Sequence, residues 1–266
     1  MPKSNHLYIG LIALLIGAGA VAASPAHAQI VNVQSAMKNI SDGVSGSAEG
    51  GLELKTGSAG MFVINGSVRV AYKFGDNLLF AIVRGDYGKI YRTDPDITIE
   101  AKHFEHLRYR RALTKRLTAE AFGQHEADQF RRLTTRALAG AGPRVNIVAQ
   151  KHVEAFYGLA YMFEFERLDD DDASDAGETQ RNHRISTYLV ASVSDGDALK
   201  LSEAIYVQPK LTDPADIRVL SELSLKSKIT KSVALKTSFV LAYDSAPPDT
   251  ISGFDTTLET AIEVAF

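Results

Sequence analysis

Histidine is the side chain most often used for acid–base chemistry and metal binding near neutral pH, and five histidines follow residue 28. They are His103, His106, His125, His152 and His183. Only the first two are close together, and residues three apart on a β-strand point to opposite faces, so they cannot bind one metal as a pair. No Gly-x-Ser-x-Gly motif occurs, and the chain has no cysteine. The sequence therefore predicts no catalytic site, no metal site and no cofactor.

Carboxylates are the second group of residues that could do chemistry. Asp94 and Asp96, taken with His103, are compatible with a lipid or peptide hydrolase at a loop rim, although carboxylates in surface loops are common. The run DDDDASDAGETQ at residues 169–180 lacks the glycine and the terminal glutamate of an EF-hand calcium loop. We predict a solvated charge run at 169–178, with weak association of divalent cations as the alternative.

Composition narrows the function classes. The chain has 266 residues, of which 45% are hydrophobic and 23% are charged, and it has neither cysteine nor tryptophan. These values exclude collagen-like, disulfide-rich and disordered proteins. The 29 lysines and arginines stand against 32 aspartates and glutamates, for a net charge of −3. Because no positive field results, nucleic acid is not expected as a partner.

The N-terminus has the organisation of a secretory signal. Lys3 precedes an apolar run at residues 7–23, and Ala26-His27-Ala28 has the small-x-small spacing of a cleavage site. We expect cleavage after Ala28. The chain then divides into a signal peptide (1–28), a short periplasmic N-terminal segment (29–43) and a main domain (44–266).

After residue 28, hydrophobicity alternates with a period of two. Between residues 61 and 74, for example, Ile64 and Val68 share one parity, whereas Asn65 and Arg69 share the other. Such a strand has one apolar and one polar face. Twelve segments follow this pattern: 44–56, 60–74, 77–90, 101–113, 116–127, 131–145, 150–167, 182–194, 198–208, 216–227, 231–244 and 254–266.

The lengths and connections of these segments fit a membrane-crossing barrel. They exceed the roughly 5 to 6 residues usual for a globular strand and reach the about 9 to 11 that a tilted transmembrane strand needs. Connections after even-numbered segments are mostly short, with 145–150 as a looser one, whereas long connections such as 169–180 and 245–253 follow odd-numbered segments. We therefore predict a closed antiparallel transmembrane β-barrel of about 12 strands, with both termini periplasmic.

The C-terminal residues favour the barrel over its alternative, a soluble periplasmic β-sandwich. Phe266 is a terminal aromatic residue, and Val264 and Ile262 precede it at alternate positions. This pattern is typical of the assembly signal that the outer-membrane assembly machinery reads. Aromatic residues near the segment ends also match a membrane barrel.

The parity opposite the apolar face carries charges of both signs. Because charges that cannot face lipid must face water or one another, we place them in the barrel interior, as a narrow polar pore or as a plug of ion pairs. Glu203 shares the apolar parity of Leu201 and Ile205, which predicts a bulge or an interfacial position. Eight residues are candidates for lumen ion pairs: Arg69, Arg108, Glu120, Arg136, Glu154, Glu164, Arg184 and Glu222.

Several motifs resemble those of a known family. They are Glu105-His106-Leu107-Arg108-Tyr109, the run from Phe122 to Leu133, Arg136 with Gly140-Ala141-Gly142, and the run from Tyr243 to Pro248 with Asp255-Thr256-Thr257-Leu258. In these motifs the chain is similar to the salt-induced outer-membrane protein family, the YdiY-like barrels of unknown function, over most of residues 44–266. The resemblance implies an outer-membrane barrel and carries over no catalytic residue.

These observations predict a non-enzymatic, monomeric protein of the cell outer membrane in a Gram-negative envelope. We expect a structural barrel or a narrow or plugged pore without a defined substrate. Its expected partners are outer-membrane lipid, lipopolysaccharide and the outer-membrane assembly machinery. A lipid or peptide hydrolase at the extracellular rim and a soluble periplasmic β-sandwich are the alternatives.

Overall fold

The computed structural model describes residues 42–55, 60–91, 97–196 and 198–265. The predicted signal peptide, Asp94, Asp96 and Phe266 lie outside these ranges, so their roles stay predictions. The described residues form twelve strands and one 3₁₀ turn (Gln129–Arg131). The strands are β1 (Gly43–Lys55), β2 (Gly60–Phe74), β3 (Asn77–Tyr91), β4 (Ile97–Ala112), β5 (Leu117–Asp128), β6 (Leu133–Ala149), β7 (Val153–Leu168), β8 (Thr179–Asp195), β9 (Leu199–Pro209), β10 (Ile217–Lys228), β11 (Val233–Asp244) and β12 (Phe254–Ala265).

The strands follow one another around a single closed barrel, and each pairs antiparallel with its neighbours. The seam between β1 and β12 runs from Ser47 opposite Ala265 to Gly50 opposite Ile262. Closure over these four residue pairs joins the first strand to the last, and each strand then has a neighbour on both sides, as a membrane-crossing barrel requires. The prediction of a closed antiparallel 12-strand barrel is confirmed, and a two-sheet sandwich is excluded.

Side chains alternate between an apolar outer face and a buried inner face. On β2, Val68, Val70 and Tyr72 point outward and remain 49%, 40% and 46% exposed, whereas the inward Ser67 and Ala71 are buried. A soluble protein would show the reverse, and a lipid-covered surface requires this arrangement.

No helix in the described ranges is both long enough and apolar enough to span a membrane.

The two ends of the barrel differ in the length of their connections. The start of β1 and the end of β12 lie at the short-turn end. There, two to four residues join β2 to β3, β4 to β5, β6 to β7, β8 to β9 and β10 to β11. Connections 169–178, 210–216 and 245–253 lie at the opposite, long-loop end. The looser connection predicted at 145–150 is wrong, because β6 continues to Ala149 and pairs there with Glu154.

The interior holds apolar clusters as well as charges. One buried cluster lies on β7 to β11: Phe156, Tyr188, Val190, Ala204, Tyr206, Leu220 and Ala242. A second lies on β2 to β4: Ala71, Phe80, Ile82 and Phe104. The sequence-based expectation of a polar interior was therefore incomplete. The lumen is packed in part like the core of a soluble protein.

Glu203 breaks the outer apolar pattern; of the two predicted alternatives, a bulge or an interfacial position, the bulge is wrong. It pairs in regular register with Ala191 on β8 and with Leu223 on β10. Its carboxylate accepts a hydrogen bond of 2.6 Å from the Ser221 hydroxyl, and the side chain is buried. A neighbouring hydroxyl compensates the buried carboxylate, so the ladder does not need to bend.

The seam predicts a specific cross-link. Ala48 lies directly opposite Val264 on the outer face. Directly opposed residues are about 4.5 to 5.5 Å apart, within the range that a disulfide spans. In this cysteine-free chain, the Ala48→Cys/Val264→Cys double variant should form an intramolecular disulfide, read by non-reducing electrophoresis and intact mass. Leu54→Cys/Val264→Cys places the first cysteine at the other end of β1 and should not. Equal cross-linking of both variants would contradict the register.

Candidate functional site

Seven buried charges form one group near the long-loop end of the lumen. We call it the Glu164 network: Glu126, Arg136, Glu164, Glu166, Arg184, Arg218 and Asp244. The Glu164 carboxylate accepts bonds from Arg136 Nε at 2.8 Å, from Arg184 Nε at 3.1 Å and from Arg218 Nη1 at 2.9 Å. These donors come from β6, β8 and β10, so one side chain on β7 joins strands on both sides of it.

Acidic partners from other strands complete this network. Arg136 Nη1 donates to Glu126 at 2.8 Å, and Arg218 donates to Asp244 at 2.8 Å and to Glu166 at 3.2 Å. The side chains of Arg136 and Glu164 have no exposed surface. Removing one partner of such a buried pair leaves an uncompensated charge and typically costs about 3 to 5 kcal/mol. The network therefore links six strands to one another near the long-loop end of the lumen.

A second group, the Glu120 network, lies between β4, β5 and β8, in the half of the lumen nearer the short-turn end. Glu120 binds Arg110 at 2.5 Å and Arg108 at 3.1 Å, and it accepts a bond of 2.5 Å from the Tyr188 hydroxyl. Tyr188 reaches across because its ring lies over Gly158, where a Cβ would come within 2.2 Å of the ring. A glycine on β7 thus permits a bond that crosses the interior.

His106 belongs to this second network as a satisfied buried side chain. Its Nε2 accepts a bond of 3.2 Å from Arg108 Nε, so the proton of the neutral ring is on Nδ1. Nδ1 then donates to Gln124 Oε1 at 3.3 Å. Both ring nitrogens have partners, which leaves neither free to bind a metal.

The N-terminal strands carry a third set of ion pairs. Arg69 binds Glu49 and also Glu263 on β12 at 3.4 Å. Arg84 bridges Asp86 at 3.0 Å and Glu259 on β12 at 3.1 Å. Because β1 lies between β2 and β12, these pairs reach across the seam and reinforce its few backbone pairings.

A cavity of about 350 Å³ lies inside the short-turn end of the barrel. Seven cationic side chains line it: Arg69, Lys151, Lys200, Lys226, Lys228, Lys231 and Lys236. Two acidic side chains, Glu154 and Glu263, also line it. The lumen therefore changes from tightly paired charges near the long loops to a cation-rich vestibule at the short-turn end.

A separate cluster ties three long-end connections together. We call it the loop latch: Arg132, Asp171, Asp175 and Asp249. The Arg132 guanidinium binds Asp171 at 2.6 Å, Asp175 at 2.5 Å and the Asp249 carbonyl at 2.8 Å. The Asp249 amide in turn donates to Asp175 at 2.7 Å. The run is not simply solvated: Asp171 stays 40% exposed, but both Asp171 and Asp175 form ion pairs with Arg132. Cation binding by the remaining carboxylates stays a prediction.

Ionisation in the loop latch follows these contacts. Hydrogen bonds from Arg132 hold the pKa of Asp171 below its ordinary value, and the two carboxylates raise the pKa of Arg132. Hydrogen bonds from Ser174 lower the pKa of Asp249. At Asp175 burial opposes the shift, but the Asp249 amide and Arg132 prevail and the pKa is lowered. The latch is therefore built from ionised groups at neutral pH.

Residues 48–266 match the model of a family described as "Protein of unknown function, DUF481". The match covers all of the barrel strands except the first residues of β1. The chain belongs to this DUF481 family. No protein of curated function matches the sequence.

Solved structures similar to this DUF481 protein are outer-membrane barrels. The translocator domain of the autotransporter NalP from Neisseria meningitidis is 10% identical, with 99% of this chain and 97% of that chain covered and a TM-score of 0.52. An outer membrane channel from Pseudomonas putida F1 is 11% identical, with 90% and 100% covered and a TM-score of 0.56. The NanC porin is 12% identical, with 84% and 98% covered and a TM-score of 0.50. Such low identities show the fold alone.

The structure separates the eight candidate lumen residues of this DUF481 protein into different groups. It brings Arg136, Glu164 and Arg184 together, and it places Arg108 with Glu120 in the second network. The other three stand apart: Arg69 binds Glu49, Glu222 lies 3.6 Å from Lys236, and Glu154 lines the vestibule. Glu126, Glu166, Arg218 and Asp244 were missing from the predicted set. Their inward parity could have identified them.

The loop latch gives a pH-dependent prediction. Because the carboxylate pKa values are lowered, the latch contributes stability above the ordinary aspartate pKa of about 3.9 and loses it as pH falls through the lowered values. Residues 169–178 should resist amide hydrogen exchange at pH 7 and at pH 5, and lose this protection below about pH 4 after correction for intrinsic rates.

A variant pair isolates Arg132 as the cause. Arg132→Ala should expose residues 169–178 to exchange at pH 7. Arg167→Ala is the matched control, because Arg167 is half-exposed and, within the described residues, its ion pair is with the exposed Asp170. Wild-type protection in Arg132→Ala would show that the loop is ordered by other contacts.

Proposed function

We propose that this protein is an integral outer-membrane barrel whose lumen is plugged by ion pairs, and that it acts as a structural barrel rather than an open diffusion channel. The Glu164 network carries the proposal, since its fully buried charges join β7 to β6, β8 and β10 across the interior. The apolar cluster around Tyr188 and Tyr206 adds packing at mid-height. An open aqueous pore would instead leave lumen charges hydrated.

The difference between the barrel ends supports an orientation. Outer-membrane barrels have short periplasmic turns and longer extracellular loops. We therefore place both termini in the periplasm and the loop latch outside the cell. The export signal at residues 1–28, contact with lipopolysaccharide, delivery by the assembly machinery through Ile262, Val264 and Phe266, and a monomeric state belong to the same proposal. So does the closer relationship to the salt-induced, YdiY-like barrels.

We propose a non-enzymatic role, because the acid–base groups in the described part of the lumen are engaged by other side chains. His106 has both ring nitrogens engaged, and Glu120 and Glu164 are each held by more than one arginine. Groups fixed in this way are poorly placed to exchange protons with a substrate.

The first test concerns location and processing. The mature chain should begin at Gln29 by N-terminal sequencing and be recovered in the outer-membrane fraction. Because a closed barrel resists detergent until it is boiled, heated and unheated samples should migrate differently. Recovery in soluble periplasm with one mobility would contradict the proposal.

The second test measures conductance. The purified barrel should show little or no steady single-channel current in a planar bilayer. Arg136→Ala should raise the current, because unpaired buried carboxylates admit water, and should lower stability by about 3 to 5 kcal/mol. Arg167→Ala, outside the lumen, should do neither. Heat-dependent mobility shows whether each variant is folded.

The outcomes separate the two forms of barrel. Large, steady openings of the unmutated protein would contradict the plugged lumen and show an open channel. A quiet, folded Arg136→Ala barrel would show that the apolar clusters, and not the Glu164 network, close the lumen.

A further inference from the structure

Two histidines, a glutamate and a threonine lie together on the outer face of the barrel, near the long-loop end of β4, β5 and β6. We call this group the outer histidine cluster: His103, Glu105, His125 and Thr135. Glu105 lies directly opposite His125 in the β4–β5 ladder. His103 shares the outward parity two residues before Glu105, so it lies diagonally across from His125.

The sequence could not show this neighbourhood. Residue spacing excluded a metal pair made of His103 and His106, and the structure places these two on opposite faces. The register of β4 against β5 instead brings His103 to His125, with ring centroids 5.5 Å apart. The ligand atoms of His103, Glu105 and His125 all lie within 4.8 Å of one another.

The hydrogen bonds of His125 orient it as a metal ligand. Nδ1 lies 2.8 Å from Glu105 Oε2, and Nε2 lies 3.0 Å from the Thr135 hydroxyl. A metal ion bound between Nδ1 and the Glu105 carboxylate requires only a small separation of the two groups. Nε2–H can then donate to Thr135, as metal-bound histidines usually donate their second ring nitrogen to an oxygen.

The surroundings also favour a cation. The cluster lies on the face that carries apolar side chains such as Leu107, which is 52% exposed. A lone carboxylate on a lipid-facing surface is costly, and a bound cation would neutralise Glu105. Residue His125 is three positions before the end of β5, which places the cluster towards the rim, where ions have access from water.

We propose that His103, Glu105 and His125 form a divalent transition-metal site on the outer surface, with Thr135 as a positioning residue. Two imidazoles and one carboxylate suit zinc, and three protein ligands leave a fourth tetrahedral position for water. This site is independent of the lumen plug, so it can exist whether or not the barrel conducts.

Zinc titration of the folded, detergent-solubilised mature protein tests the proposal. Calorimetry should show one Zn²⁺ per chain, and Co²⁺ at the same site should give the visible absorption of tetrahedral nitrogen and oxygen coordination. His103→Ala, His125→Ala and Glu105→Gln should each abolish or strongly weaken binding. Thr135→Val should weaken it about tenfold to a hundredfold, as loss of an outer-shell partner does.

A histidine elsewhere on the outer face supplies the control. His183 lies on β8 and binds the Tyr161 hydroxyl at 2.5 Å, so His183→Ala removes one exposed imidazole outside the cluster. It should bind Zn²⁺ like the wild type. Heat-dependent mobility confirms that each variant folds, and Glu105→Gln keeps side-chain size. Absence of one-to-one binding, or equal weakening by His183→Ala and His125→Ala in folded proteins, would overturn the proposal.

Discussion

The constraint on which the rest of this structure depends is that a charge inside a lipid-surrounded barrel must be paired. Because lipid surrounds the outer face, most of the buried arginines and glutamates point inward, and the outward Glu105 and Glu203 are each bound to a neighbouring side chain. Glu164 resolves the conflict by accepting bonds from three arginines, and each guanidinium presents several donors in a fixed plane. The pairing that removes the electrostatic cost also determines which strands are held together.

The interior consequently combines two kinds of packing. Charged networks occupy the long-loop end and the part of β4 and β5 nearer the short-turn end. Tyr188, Tyr206 and their apolar neighbours fill the space beside them. Tyr188 links both kinds, since its ring packs in the apolar cluster and its hydroxyl binds Glu120. Gly158 makes this possible because a larger residue would occupy the place of the ring. The lumen thus resembles a globular core in which ion pairs are built into the packing.

Strand parity and the number of strands could be predicted from the sequence because alternation at residues such as Ile64, Asn65 and Val68 is a local property. Strand limits were less accurate, since β6 continues to Ala149. The apolar part of the interior could not, because β3 has apolar residues on both parities around Phe80 and Ile82. Pairings between distant strands, such as Tyr188 with Glu120, need a register that one sequence does not reveal. The same holds for Arg132, whose contacts depend on its left-handed backbone after a 3₁₀ turn, and for the meeting of His103 with His125.

The seam has a consequence for the order of folding. Ser47 and Ala265 pair with each other although they lie near opposite ends of the barrel sequence. This pairing therefore has the largest entropic cost of loop closure in the sheet. The hairpins β5 to β8, which contribute Glu126, Arg136, Glu164 and Arg184, need only local connections. Their ion pairs can therefore assemble while the sheet is still open, whereas the join between first and last strands must wait for the whole chain. Late in folding, β12 would pair with β1 in a sheet whose interior ion pairs have already formed. The rate of this last pairing would determine the lifetime of the open sheet.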